Sequence, residues 1–290
     1  MKTFLQILKY CALLIVYYLA ASVVAYGFYA VLSFFVYGRV VTGLTNNNQL
    51  LMSVMYMLNI VFLIVLFRQN QPGFLKAFRK PAANVILNNF YGLVATVIFI
   101  SILYGILFLL TDIQFAFKGA AFATLLQWFV MLYFAAMIEE VLCRNLMLDR
   151  LIDEKGYNPL AVLFVSSLLF SLLHLFNDNF SVVPFINILL VGIILGIIYL
   201  KYKNIYLVTA IHFFWNYITG LILGSHVSGI AMPSVFTYKL SGSELISGGG
   251  FGIEGSVILV ILQVIVIVVY TPFLIHLHKD YRQRVRATEV

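Results

Sequence analysis

Eight apolar runs of membrane-crossing length dominate this sequence, at about 11–37, 49–67, 89–110, 120–142, 159–176, 182–200, 205–223 and 257–275. A helix needs roughly 20 such residues to cross the hydrocarbon of a bilayer. In lipid every backbone amide must find its partner within the protein, and a helix achieves this inside one segment. A membrane barrel would show repeated short alternating strands, whereas these runs are continuous. The expected fold is therefore all-α, a polytopic membrane helical bundle of about eight transmembrane helices. Composition agrees: 63% of the 290 residues are hydrophobic and 10% charged, against about 25% charged in soluble domains. Such a chain in water would expose large apolar patches.

No repeat, Pro-rich linker or low-complexity tract marks a second domain, so one integral membrane domain is expected over 1–290. Lys2 and Lys9 precede the first run, which is also how a signal peptide begins. The run is too long for a signal peptide and lacks a clean cleavage site, so it reads as a retained first helix. Cys11 and Cys143 lie in or beside apolar runs and suggest no disulfide framework.

The placement of charge sets an expected orientation. With eight spans and a cytoplasmic N-terminus, 15 of the 18 Lys and Arg residues fall on the inner side, and only Arg39, Lys118 and Lys239 fall outside. The positive-inside rule favours that arrangement, with both termini cytoplasmic in a multi-pass cell-membrane protein. Basic residues beside anionic lipid account for the net charge of +7 without any nucleic acid.

Between the runs, residues 68–88 are basic and broken by Pro72–Gly73 and Pro81, consistent with a cytoplasmic loop carrying a short interfacial helix. Residues 143–158 keep helical spacing until Gly156, so the fourth helix is expected to reach about 155, roughly 35 residues in all. The Gly- and Ser-rich stretch 224–256 reads as an ordered or partly re-entrant cover on the outer face. The tail from His278 onward reads as an anchor to the inner leaflet.

Three polar groups do not belong in lipid. Residues 139–144 read EEVLCR. Neighbouring helical residues point about 100° apart, so Glu139 and Glu140 face different ways. Glu140 and Arg144 are spaced i,i+4 and can pair on one face, which leaves Glu139 free for other work. The plainer alternative is a helix end whose charges reach the headgroups. Residues 170–174 read FSLLH and place His174 about 15 residues into the fifth run. A lone buried histidine is often only a packing residue. Residues 212–216 read HFFWN, with His212 and Asn216 on one helical face. Polar glue between membrane helices is the alternative there.

At 1.5 Å of rise per residue, Glu139 and His174 both lie about 20 Å from the inner ends of their helices, and His212 and Asn216 about 10 and 16 Å. One shared constellation at comparable depth is therefore expected, reached from the cytoplasm. A carboxylate in a dry, histidine-rich cavity can take a proton from water. An imidazole and the Asn216 amide can donate to the oxyanion that forms when that water attacks a peptide carbonyl. Alternatively, Glu139, His174 and His212 could hold one zinc ion with a water in its open position. The HExxH pattern of common zinc proteases is absent. Cys143, His226, His276, His278, Ser167 and Ser171 are weaker candidates: the first lacks a histidine at useful spacing, and the others read as loop, anchor or packing residues.

Taken together, EEVLCR at 139–144, FSLLH at 170–174 and HFFWN at 212–216 resemble the EExxxR, FxxxH and HxxxN motifs of the CPBP intramembrane endopeptidases. That family, also called Abi, includes the type II CAAX prenyl proteases and bacteriocin-processing proteins. The motif-bearing core spans about 120–223, and SGGGFGIEGS at 247–256 resembles a segment before the last helix of many bacterial members. The resemblance implies a CAAX prenyl protease type II-like bundle. It implies that Glu139 activates water and His174 orients it. His212 and Asn216 would form the oxyanion site, supported by Glu140 and Arg144. It also leaves both a metalloprotease and a metal-free glutamate enzyme open. The implied partners are membrane lipid and a membrane-tethered protein or peptide substrate. A noncatalytic immunity or regulatory protein on the same scaffold is one alternative function. A small-molecule permease is another, although the two halves lack the matching broken helices of inverted-repeat transporters.

Overall fold

A computed structural model of the protein describes residues 2–42, 48–68, 78–240 and 243–288. Ten helices and one short β ribbon appear among them. In chain order they are α1 (Lys2–Tyr37), α2 (Gln49–Arg68), α3 (Ala82–Leu110), β1 (Gln114–Phe117), α4 (Phe122–Glu140), α5 (Pro159–Leu172), α6 (Val182–Tyr202), α7 (Ile205–Asn216), β2 (Phe236–Lys239), α8 (Glu244–Ser247), α9 (Val257–Val269) and α10 (Thr271–Thr288). α4 continues as a wider π-helix over Val141–Glu154, and α7 as a π turn over Tyr217–Ile222.

Among the described residues, six helical segments are long and apolar enough to cross a membrane, and a seventh if α9 and α10 together count as one bent span. The outer surface suits lipid: Val23, Phe35, Leu109 and Phe122 are all more than 70% exposed. The fourth span runs unbroken over Phe122–Glu154, 33 residues, close to the expected length. Gly156, at φ +66°, turns the chain out of it.

Two of the eight apolar runs do not form one long straight helix. α5 has only 14 residues, about 21 Å at 1.5 Å per residue. It starts sharply, because the Asn158 side chain accepts from the Leu160 and Ala161 amides and Pro159 suits a first helical turn. It ends at Leu172, because the following LFNDNF carries three turn-forming residues, and Asn179 adopts φ +59°. The last apolar run also breaks. α9 meets α10 at a bend of 51°, where Pro272 supplies no amide and cannot continue the hydrogen-bond ladder of α9. The basic tail thus lies on a separate helix. Of the loop expected over 68–88, residues 69–77 lie outside the described residues, and α3 already begins at Ala82.

Helix packing depends on small residues, as expected where lipid supplies no hydrophobic drive between helices. α7 lies between α3 and α4, α2 packs on the other side of α4, and α5 pairs with α6, which carries α9. A Cβ at Gly92 of α3 would come within 2.4 Å of the Ala210 Cβ of α7. Thr96, one turn later, donates to the Ile211 carbonyl at 3.3 Å. At the α6–α7 turn, Lys203 reaches Asp149 and Asp153 at 2.9 and 2.6 Å, fastening the π-helix in place. Burial opposes the Lys203 charge, yet the two carboxylates hold it above the ordinary lysine range.

The stretch between α7 and α9 is an ordered cover over its described residues. β2 pairs antiparallel with β1, with Phe117 opposite Phe236. The Gly-rich segment then winds through two 3₁₀ turns that bury Phe251, Ile253 and Glu254. Gly252 sits at φ +91°, and a Cβ there would lie 2.0 Å from the His226 carbonyl oxygen. Only glycine allows so close an approach.

Candidate active site

Glu139 and Glu140 end the α-helical part of α4, immediately before its backbone widens at Val141. Asn216 is likewise the last α-helical residue of α7 before the π turn at Tyr217. Local π geometry is often found beside functional residues because it redirects side chains. Here it follows the polar residues on both helices.

Glu140 and Arg144 form the pair expected from their spacing. Arg144 Nε lies 3.1 Å from Glu140 Oε2, and the two side chains are 1% and 0% exposed. The contact is ionic rather than an aligned hydrogen bond. Arg144 also donates to the Gly192 carbonyl of α6 at 3.1 Å and sits 4.5 Å above the Phe170 ring. Two full charges in a dry interior are tolerable only with such company. The other Glu140 oxygen accepts from His212 Nδ1 at 3.0 Å. Glu140 therefore ties α4 to α7, while Arg144 ties α4 to α6.

Phe170 organises both histidines. Its carbonyl accepts from His174 Nδ1 at 2.9 Å. Its ring centroid lies 5.3 Å from the His174 ring and 5.5 Å from the His212 ring. His174 differs from expectation in one respect. It is not inside a helix but in the turn after α5, where its backbone amide bonds Ser171 instead of Phe170. It remains largely buried.

Because a carbonyl or carboxylate can only accept, the Nδ1 atoms of His174 and His212 carry the protons, and both rings turn Nε2 toward Glu139. The distances from Glu139 Oε2 are 3.9 Å to His174 Nε2 and 4.0 Å to His212 Nε2. That oxygen is buried and has no hydrogen-bond partner among the described residues. Both gaps exceed a direct hydrogen bond. A tetrahedral zinc with bonds of about 2.0 Å would hold neighbouring donors roughly 3.3 Å apart. Among the described residues, no three His, Cys, Asp or Glu side chains stand close enough to hold a metal ion as placed.

His174, His212 and Asn216 line one cavity of about 220 Å³ between α3, α6, α7 and α9. The Asn216 amide faces it with no hydrogen bond to any described residue. Glu139 is not part of that wall. It meets the two imidazoles from the side of α1 and α2, within electrostatic reach of Tyr18 and Tyr56. The remaining candidates stand apart. Cys143 is fully buried in the main core. Ser167 and Ser171 bond backbone carbonyls. His226 bonds the Gly250 carbonyl, and His276 pairs with Asp280 on the surface.

Three further polar residues on the cavity wall were not singled out from the sequence: Asn187, Gln263 and Glu254. The signal was present, since Asn187 and Gln263 are single amides inside otherwise apolar runs, where a polar residue is costly.

A polytopic helical bundle with a buried carboxylate–dihistidine cluster is thus the class that the fold and site define. Residues 120–218 match a family model described as type II CAAX prenyl endopeptidase Rce1-like. The matched stretch contains all six expected site residues as well as Phe170, in agreement with the motif resemblance. Neither the curated proteins nor the solved structures compared with the chain gave a match.

Proposed function

We propose that the chain is an intramembrane endopeptidase that hydrolyses a peptide bond of a membrane-tethered protein or peptide. The observation that carries this reading is the position of Glu139 Oε2, unpartnered and 3.9 and 4.0 Å from two imidazole nitrogens. A water between them donates one hydrogen bond to Glu139 and the other to His174 Nε2, which fixes its oxygen toward the cavity. As that oxygen attacks the carbonyl carbon, Glu139 takes the first proton. The developing oxyanion receives the Asn216 amide. With its Nδ1–H committed to Glu140, His212 adds a second donor only as an imidazolium, a charge that Glu139 and Glu140 flank. Collapse of the intermediate breaks the C–N bond, and the proton on Glu139 passes to the leaving amine.

Both termini are cytoplasmic in this reading, supported by the distribution of Lys and Arg. A reporter after residue 290 should score as internal and one within 225–240 as external; the reverse would overturn the orientation. The chemistry is tested by Asn216→Ala. Losing one oxyanion donor should lower turnover of a tethered peptide about 10²–10³-fold and leave a measurable remainder. Unchanged turnover would remove Asn216 from the site.

A further inference from the structure

The cavity wall formed by α6, α9 and the segment before α9 is largely apolar but carries three polar residues. Asn187 on α6 is 1% exposed, and its Nδ2 donates to the carbonyls of Glu254 at 2.7 Å and Ser256 at 2.9 Å. Those two bonds fix the orientation of the amide and leave its buried Oδ1 without a partner. Gln263 on α9 is 4% exposed, and its Oε1 is likewise buried and unpartnered. Glu254 lies beside them. Its carboxylate accepts from Trp215 Nε1 at 2.7 Å, the Ser228 amide at 2.7 Å and the Ser228 hydroxyl at 3.0 Å. These donors solvate its charge without neutralising it, for no Lys or Arg pairs with it among the described residues.

A carboxylate 8% exposed with no countercharge is costly in a membrane domain. Two orphaned amide oxygens add to that cost. All three residues line the same cavity as His212 and Asn216, and Trp215, which binds Glu254, immediately precedes Asn216. A group that relieves all three must carry N–H donors and positive charge.

We propose that Asn187, Glu254 and Gln263 form a substrate subsite for a basic group, a lysine side chain or a free ammonium, held at a fixed distance from the scissile bond. This deepens the endopeptidase reading and rests on it for the word substrate, but the binding itself does not require turnover. The apolar remainder of the wall, including Ile188, Leu195 and Val266, would pack the methylene stem of such a side chain, as lysine allows.

The test uses the purified full-length chain in lipid nanodiscs and palmitoylated ten-residue peptides of Ala, Leu and Ser. A single lysine is walked through the positions, each with a norleucine counterpart that keeps the stem and removes the charge. At one position the lysine peptide should bind at least about tenfold more tightly than its counterpart. Glu254→Gln and Gln263→Leu should each shrink that ratio to less than about threefold, with unchanged thermal unfolding confirming the fold. Glu139→Gln should keep the full ratio. A wild-type protein with no lysine preference at any position overturns the proposal, as does a preference that survives both variants. If the preference is present but no peptide is cleaved, the subsite stands and the endopeptidase reading fails.

Discussion

The Phe170 carbonyl takes its hydrogen bond from the imidazole of His174 rather than from the His174 backbone amide, which bonds Ser171 instead. One exchange of donors ends α5 and orients a site residue. Together with the Phe170 ring between Arg144 and both histidines, it makes Phe170 a positioning residue for the whole cluster.

Phe170→Leu keeps apolar bulk and the carbonyl but removes the ring. Turnover of a tethered peptide should fall on the order of tenfold, about 1.4 kcal/mol of transition-state stabilisation, with peptide affinity nearly unchanged. Comparing kcat with binding separates this from simple unfolding. Full activity in Phe170→Leu would reduce the ring contacts to packing.

Arg144 and Glu140 are both buried, so removing one partner strands the other. Arg144→Ala should cost about 3–5 kcal/mol, seen as a lower thermal midpoint and a reduced folded yield. Glu139→Gln should leave both near normal, because Glu139 is 25% exposed and forms no close pair. Equal destabilisation by the two variants would make Glu139 a structural residue too.

Gly92→Ala should destabilise by about 1–3 kcal/mol, since the new Cβ would meet that of Ala210 at 2.4 Å. Adding Ala210→Gly should recover most of the loss, because the two methyl groups compete for one space. A double variant as unstable as the sum of the singles would show that the α3–α7 contact does not depend on this pair.

Much of this was legible in the sequence. The Glu140–Arg144 pair followed from i,i+4 spacing, and the long fourth helix from a pattern ending at Gly156. The convergence of Glu139, His174 and His212 followed from their comparable depth in the membrane domain. Three features were not. Hydropathy carried the fifth run through Phe176, but Phe176 is 95% exposed and α5 stops at Leu172, ahead of the turn-forming residues of LFNDNF. Pro272 announced the break after α9, yet an apolar run on both sides hid it. The β1–β2 ribbon has four residues per strand, too few for alternation to show. Glu254 lay in a glycine-rich stretch that reads as cover, and its place in the cavity wall depends on close backbone approaches that only the folded chain reveals.

The central claim is that Glu139 is the base for a water held against two imidazoles. The most direct measurement compares purified wild type and Glu139→Gln, both freed of metal by chelation, on one tethered peptide, with fragments weighed by mass spectrometry. The account predicts that chelated wild type yields two fragments whose masses sum to the peptide plus one water, while Glu139→Gln binds the peptide and leaves it intact. Fragments from Glu139→Gln at the wild-type rate would contradict it. So would a wild type silenced by chelation and restored by stoichiometric zinc, which would place a metal where this account places water.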